Sequence, residues 1–153
     1  MIYVECYADE VLVRAITGLP PREISHELKG RSRVVNRVSR GRARKGLVDE
    51  DPATIQPAYI SHMNVLQDLP GMGLRHLRDN ARDNYIVVIC PRLEEWMVRA
   101  ARDTGIDLAR YNLPSDPGVM HREINHRLSS FQRLVEDLRN SDRLRALRGL
   151  LNP

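Results

Sequence analysis

Two short apolar runs that each stop on acidic residues constrain this chain more than any other feature. Ile2-Tyr3-Val4 runs into Glu5, and Gly46-Leu47-Val48 runs into Asp49-Glu50-Asp51. A buried strand of a parallel sheet has this form: continuous apolar residues, then polar groups at the carboxyl end, where open α/β sheets gather their sites. A third run, Tyr85-Ile86-Val87-Val88-Ile89-Cys90, is apolar throughout and reads as the central strand. Between the first two runs, Val11, Leu12, Ala15 and Ile16 follow helical spacing, and Gly18 stops them. Residues 23–26 read as a short strand. A second helix, between Gly30 and Gly41, carries Val34, Val35 and Val38 on one side. The order is β-α-β-α-β, which implies a parallel sheet with right-handed crossovers.

The remainder of the chain is less regular. Residues 52–70 show no period and are expected to form a long loop, with one helical turn over residues 58–63; loops of this length in compact domains tend to be functional or mobile. Pro70-Gly71-Met72-Gly73 is a turn, because its glycines do not match either phosphate-loop spacing. Residues 74–77 read as a strand and 93–102 as a helix. After a proline-bearing connector over 106–117, Ile124, Leu128, Phe131, Leu134, Val135 and Leu138 keep helical spacing. Ser141 then stands as the N-cap of a last helix with Leu144, Leu147, Leu150 and Leu151. The expected fold is α/β: a mostly parallel sheet of about four strands flanked by helices over residues 1–105, and a helical extension over 106–153 packed on the same domain.

A chain of 153 residues with 42% apolar content suits one globular domain, and with one Phe and one Trp its core rests on Leu, Val and Ile. Cys6 and Cys90 lie in strand-like runs; they are either buried free thiols or a disulfide or metal pair. No apolar run reaches membrane-spanning length, and residues 1–17 carry acids and lack a basic start. A cytoplasmic protein with no membrane partner is expected. The five histidines show no metal-ligand spacing, and no nucleophile elbow, Walker loop or Cys-x-x-Cys pair occurs.

Two strand tips side by side would bring Glu5, Asp49 and Asp51 together. Three carboxylates in one volume repel one another unless a cation lies among them, and oxygen-only ligation suits Mg²⁺ or Mn²⁺. Asp49 and Asp51 alternate on an extended segment and so face one way. Asp9 would lie one turn into the first helix, near the same end. Glu94 opens the helix after the central strand, either as a further ligand or as an ordinary first-turn acid. Taken singly, each acid could equally end a strand or solvate a loop.

The charge is uneven. Net charge is +4, and nearly all the cations are arginine, which matches phosphate geometry better than lysine does. Arg31, Arg33, Arg37, Arg40, Arg42, Arg44 and Lys45 form a block of seven cations without one acid. Such a stripe is either the footprint of a nucleic-acid backbone or a solvated helix face. It lacks interleaved aromatics, so base stacking along it is not expected.

These residues also carry a resemblance. Glu5-Cys6-Tyr7-Ala8-Asp9 resembles the Glu-Gly-x-x-Asp that opens the Toprim domain of primases, topoisomerases and OLD-family nucleases, and Asp49-Glu50-Asp51 resembles that family's Asp-x-Asp. Cys6 stands where the family usually has glycine. Pro91-Arg92-Leu93-Glu94-Glu95-Trp96 resembles the acidic-x-Trp segment of small Toprim-like proteins. The resemblance covers roughly the first two thirds of the chain. It implies a Mg²⁺-dependent phosphodiester hydrolase acting on DNA or RNA, with Glu5 as general acid/base and Asp49 and Asp51 on the metal. It also implies a possible protein partner in a defence or restriction setting. The alternatives are a non-catalytic interaction or nucleic-acid-binding protein of the same fold, and a hydrolase of nucleotides or small phosphate esters.

Overall fold

The computed structural model describes residues 1–26 and 30–152. Its elements, in chain order, are β1 (Ile2–Val4), α1 (Tyr7–Thr17), β2 (Ile24–Ser25), α2 (Arg31–Ser39), β3 (Lys45–Asp49), α3 (Ala58–Ser61), β4 (Asn64–Leu69), β5 (Leu74–Asp79), β6 (Asn84–Ile89), α4 (Leu93–Asp103), α5 (Pro117–Glu123), α6 (Leu128–Leu138) and α7 (Asp142–Leu151). The strands form one sheet in the order β2-β1-β3-β6-β5-β4. The first four are parallel, β5 pairs antiparallel with β6, and β4 pairs antiparallel with β5. Among the described residues no helix is long and apolar enough to cross a membrane.

Continuous apolar runs were the strand signal because both faces of the sheet are covered. Val4, Leu47, Val87 and Ile89 face a core shared with Leu12, Trp96, Phe131, Leu134 and Leu147 of α1, α4, α6 and α7. Tyr3, Val48, Ile86 and Val88 face the other way, against Val34, Val35 and Val38 of α2 and Ile60 of α3. The helices after residue 106 therefore share a core with α1 and α4. On the α2 side the approach is close at Gly46, where a Cβ would lie 3.1 Å from Val38 Cγ2 and 3.3 Å from Val34 Cγ1.

The sheet has six strands rather than about four, and the expected loop over 52–70 contains α3 and all of β4. β4 is an edge strand with nearly every residue exposed, so neither alternation nor an apolar run marks it. Backbone pairing to β5 forms it, with an irregularity between Val65 and Gln67. Ser141 stands at the start of α7 as expected, but its hydroxyl makes no capping bond and is buried with no partner among the described residues.

One buried polar side chain ties the layers together. Asn84, fully buried at the start of β6, has its Nδ2 within hydrogen-bond distance of the Val38 carbonyl (2.8 Å), the Gly41 carbonyl (2.9 Å) and the Tyr59 hydroxyl (3.1 Å), which share its two N–H donors. Its Oδ1 accepts from the Arg44 amide at 3.0 Å. Removing it leaves the Gly41 carbonyl and the Arg44 amide without partners and the Val38 carbonyl with the Gly41 amide alone. Asn84→Leu is expected to lower the unfolding free energy in urea by about 2–4 kcal/mol, against less than about 0.5 kcal/mol for Asn80→Leu in the exposed turn nearby. Equal effects at the two positions would deny Asn84 this role.

Candidate functional site

The carboxyl ends of β1, β3 and β6 lie side by side, with Val4 opposite Leu47 and Asp49 opposite Ile89. Glu5 is the first residue beyond β1, and its Oε2 accepts the Asp49 amide at 2.8 Å. Cys6 is the N-cap of α1 with φ −155°, extended backbone that any residue adopts, so position 6 requires no glycine. Asp9, in the first turn of α1, is 4% exposed, and its Oδ2 accepts from the Cys6 thiol at 3.4 Å. The first turn of α1 is tied to the C-terminal helices, since the Ala8 amide donates to Asn125 Oδ1 at 3.1 Å.

β6 is followed by α4, whose N-terminus points back at β3. The Leu93 amide donates to Asp49 Oδ1 at 3.1 Å. Glu94, in the same turn, is 5% exposed. Its Oε1 meets Nδ1 of the largely exposed His121, from α5, at 3.1 Å. Its Oε2 is buried with no partner among the described residues. Elements distant in sequence thus bring Glu5, Asp9, Asp49 and Glu94 together at one end of the sheet.

Their ionisation follows from this placement. Burial pushes Asp49 up, and the charges of Asp9, Glu5 and Glu94 add to it. Burial, then the charges of Glu5 and Glu94, do the same to Asp9. Burial also raises Glu5, opposed by the Asp49 amide and the Arg31 charge. Burial pushes the Cys6 thiol far up as well, which makes it inert, and both cysteines are free.

Asp51 departs from expectation. Its φ is +44°, which breaks the alternation on which a shared face with Asp49 depended. Its Oδ1 instead accepts from Nη2 and Nε of Arg92 at 3.0 and 3.2 Å. Asp9 and Glu94, both buried, lie close enough to Asp49 to act on it by charge.

The basic block divides between the two ends of the sheet. Arg31 reaches the Glu50 carbonyl, Thr54 Oγ1 and the Ile55 carbonyl (3.0 Å), pinning the loop after β3 at the carboxylate end. Arg33 is exposed in the first turn of α2. Because α2 runs back along the sheet, Arg37, Arg40, Arg42 and Arg44 lie toward the opposite end. The Arg44 guanidinium is held by the Arg37 carbonyl, and Lys45 donates to the Leu151 carbonyl at 2.9 Å. His26 pairs with Glu10 and packs against Tyr7 with the two rings tilted by 43°. His121 was not singled out in sequence; it meets Glu94 from 27 residues away, a pairing that only the packing of α5 on α4 creates.

The donor set suits a hard dication: four carboxylates, with one buried oxygen unpartnered. In their present rotamers, however, no three His, Cys, Asp or Glu side chains among the described residues are arranged to hold a metal. One oxygen of each acid is engaged, by an amide, a thiol or an imidazole, and Glu94 Oε2 is buried with no partner among the described residues. No family model, characterised protein or solved structure matches the chain.

The raised carboxyls have a consequence for stability. The folded protein holds protons that the unfolded chain releases near pH 4, so the unfolded state binds fewer protons above that pH. Stability from these groups is therefore complete at low pH and lost as pH rises through the folded values, about 8 for Asp9 and about 9 for Asp49. In chelating buffer the melting temperature should fall from pH 5 to pH 9, each group contributing at most about 1.4 kcal/mol per pH unit. Asp9→Asn, which cannot ionise, should flatten that fall; an unchanged slope in the variant would remove Asp9 from it.

Proposed function

We propose that this chain is a Toprim-like, metal-dependent phosphodiester hydrolase acting on nucleic acid. One observation carries this: Glu5, Asp9, Asp49 and Glu94 cluster at the carboxyl end of a parallel sheet, Asp9 and Glu94 buried and Glu5 and Asp49 half-buried, with one buried oxygen unpartnered among the described residues. Structural carboxylates are ordinarily paired with cations or fully hydrogen-bonded. A pocket with four acids and no cation inside it is incomplete without protons or a metal.

Asp49, Asp9 and Glu94 would hold Mg²⁺ or Mn²⁺, with Asp51 at the rim. Bound there, the ion would supply charge neutralisation at phosphate oxygens. Burial raises the proton affinity of Glu5, the direction a proton carrier needs to work nearer neutral pH. The Asp49 amide fixes one of its oxygens, which leaves the other for the reacting oxygen. Arg31 keeps its proton affinity from rising further.

The rival is a non-catalytic interaction or nucleic-acid-binding protein of the same fold, working as a subunit of a defence or restriction-type assembly. It is favoured by the present rotamers, in which Glu5, Asp49, Asp9 and Glu94 each already have a partner within the protein. In that case the acids form a proton-sharing network and nothing more. Side-by-side assays on DNA, RNA, nucleotides and simple phosphate esters separate a nuclease from a small-ester hydrolase.

Metal titration distinguishes enzyme from network. Mg²⁺ or Mn²⁺ at a hundred times its Kd should raise the unfolding free energy by about 2.7 kcal/mol, and Asp49→Ala should erase that response. Wild-type protein that melts at one temperature with and without these ions would leave the proton network.

Glu5→Gln keeps an oxygen for the Asp49 amide but cannot carry the proton. It should abolish nucleic-acid cleavage while the thermal response to metal remains, a loss of about 10²–10⁴-fold for a general acid or base. Full cleavage by this variant would take Glu5 out of the mechanism.

A further inference from the structure

The end of the sheet opposite the carboxylates has its own groove. Its volume is about 480 Å³, and its walls include Arg42, Arg82, Tyr59, His62 and Asp79. Three connections meet there: the segment from α2 into β3, the stretch from α3 into β4, and the turn from β5 to β6. β3 spans five residues, so the groove lies roughly 15 Å from the carboxylates along the strand.

The groove is basic, and the Arg42 guanidinium meets only the Ala81 carbonyl, at 3.4 Å. Arg42 and Arg82 are exposed, and Arg37 and Arg40 extend the same charge along the end of α2. Among the described residues no carboxylate forms an ion pair with any of these four. The one acid in the wall is engaged: Asp79 Oδ2 accepts from the Tyr59 hydroxyl at 2.7 Å, and its Oδ1 accepts from the Ala81 amide at 2.9 Å. The same hydroxyl accepts from Asn84, so the phenol ring is held still against the groove. His62 is exposed beside it.

We propose that this groove binds single-stranded nucleic acid, with Arg42 and Arg82 on its phosphates and the rings of Tyr59 and His62 against its bases. Guanidiniums beside aromatic rings are what a single strand requires, because its backbone needs cations and its unpaired bases present flat faces for stacking. A duplex keeps its bases stacked inside and cannot use the rings. The alternation absent from the linear sequence of the basic block is supplied here from three separate segments. The inference shares its nucleic-acid partner with the function proposed above but does not depend on cleavage.

The test is fluorescence anisotropy of a labelled oligothymidylate, in EDTA so that the carboxylate site plays no part. The strand should bind more tightly than a hairpin duplex of equal charge. The double variant Arg42→Glu with Arg82→Glu should bind it at least roughly tenfold more weakly, and its salt slope should fall by about 1.4, near 0.7 for each lost phosphate contact. A control of equal charge change on the far side, Arg139→Glu with Arg145→Glu, should change affinity less than about twofold. Arg42→Gln with Arg82→Gln repeats the measurement should the glutamate variant not keep the wild-type circular dichroism. Equal losses in groove and control variants, no loss in the groove variant, or a duplex bound as tightly as the strand would each overturn the proposal. A chain that binds the strand in this groove but never cleaves it would retire the nuclease and leave this site standing.

Discussion

Carboxylates buried beside one another at the ends of parallel strands are the constraint on which the remainder of this molecule turns. Two like charges 4 Å apart repel by about 4 kcal/mol at an effective dielectric constant of 20, on top of the desolvation of each. A domain is stable by only about 5–15 kcal/mol in total, so four ionised acids cannot be held there uncompensated. Glu5 and Asp49 accept amides and the α4 N-terminus faces Asp49, yet burial still outweighs these contacts and the acids are pushed up. The pocket must take protons or a cation from outside, which couples fold stability to whatever supplies the charge.

The sheet separates two electrostatic regions. Parallel strands send β1, β3 and β6 out at one end, and the crossover helix α2 returns the chain to the other. Acids collect where the strands finish. The arginines that follow α2, with Arg82 from the β5–β6 turn, collect where β3 and β6 begin. Topology thus divides a sequence whose net charge is only +4 into an acidic end and a basic end. Both would face a polyanion only if that polyanion spans the α2 side of the sheet.

Those parts of the fold that bury apolar area on both sides were legible in sequence. β1, β3 and β6 are unbroken apolar runs, and Gly18 ends α1 in the left-handed conformation that glycine favours. β4 was not legible, because an exposed edge strand is specified by its neighbour's backbone and not by its own side chains. Glu5, Asp9, Asp49 and Glu94 could be chosen from strand tips and helix starts. Asp51 could not be placed, because alternation holds only while the backbone stays extended, and it does not at φ +44°. His121 and the groove at Arg82 arise from contacts between distant segments, which no local period encodes.

The position of the arginines bears on why the acidic pocket exists. A fold selected only to tolerate buried acids would place a guanidinium among them, since a paired charge is far less costly than a lone one. Two arginines are within reach, and both are committed at the rim. Arg92 is spent on Asp51, and Arg31 on the carbonyls of Glu50 and Ile55. Arg31 acts on Glu5 only through its field. The effect is to fix the loop after β3 while no guanidinium enters among the acids. Acids left without a cation must share protons instead, and on the reading proposed above a dication would take the place of those protons.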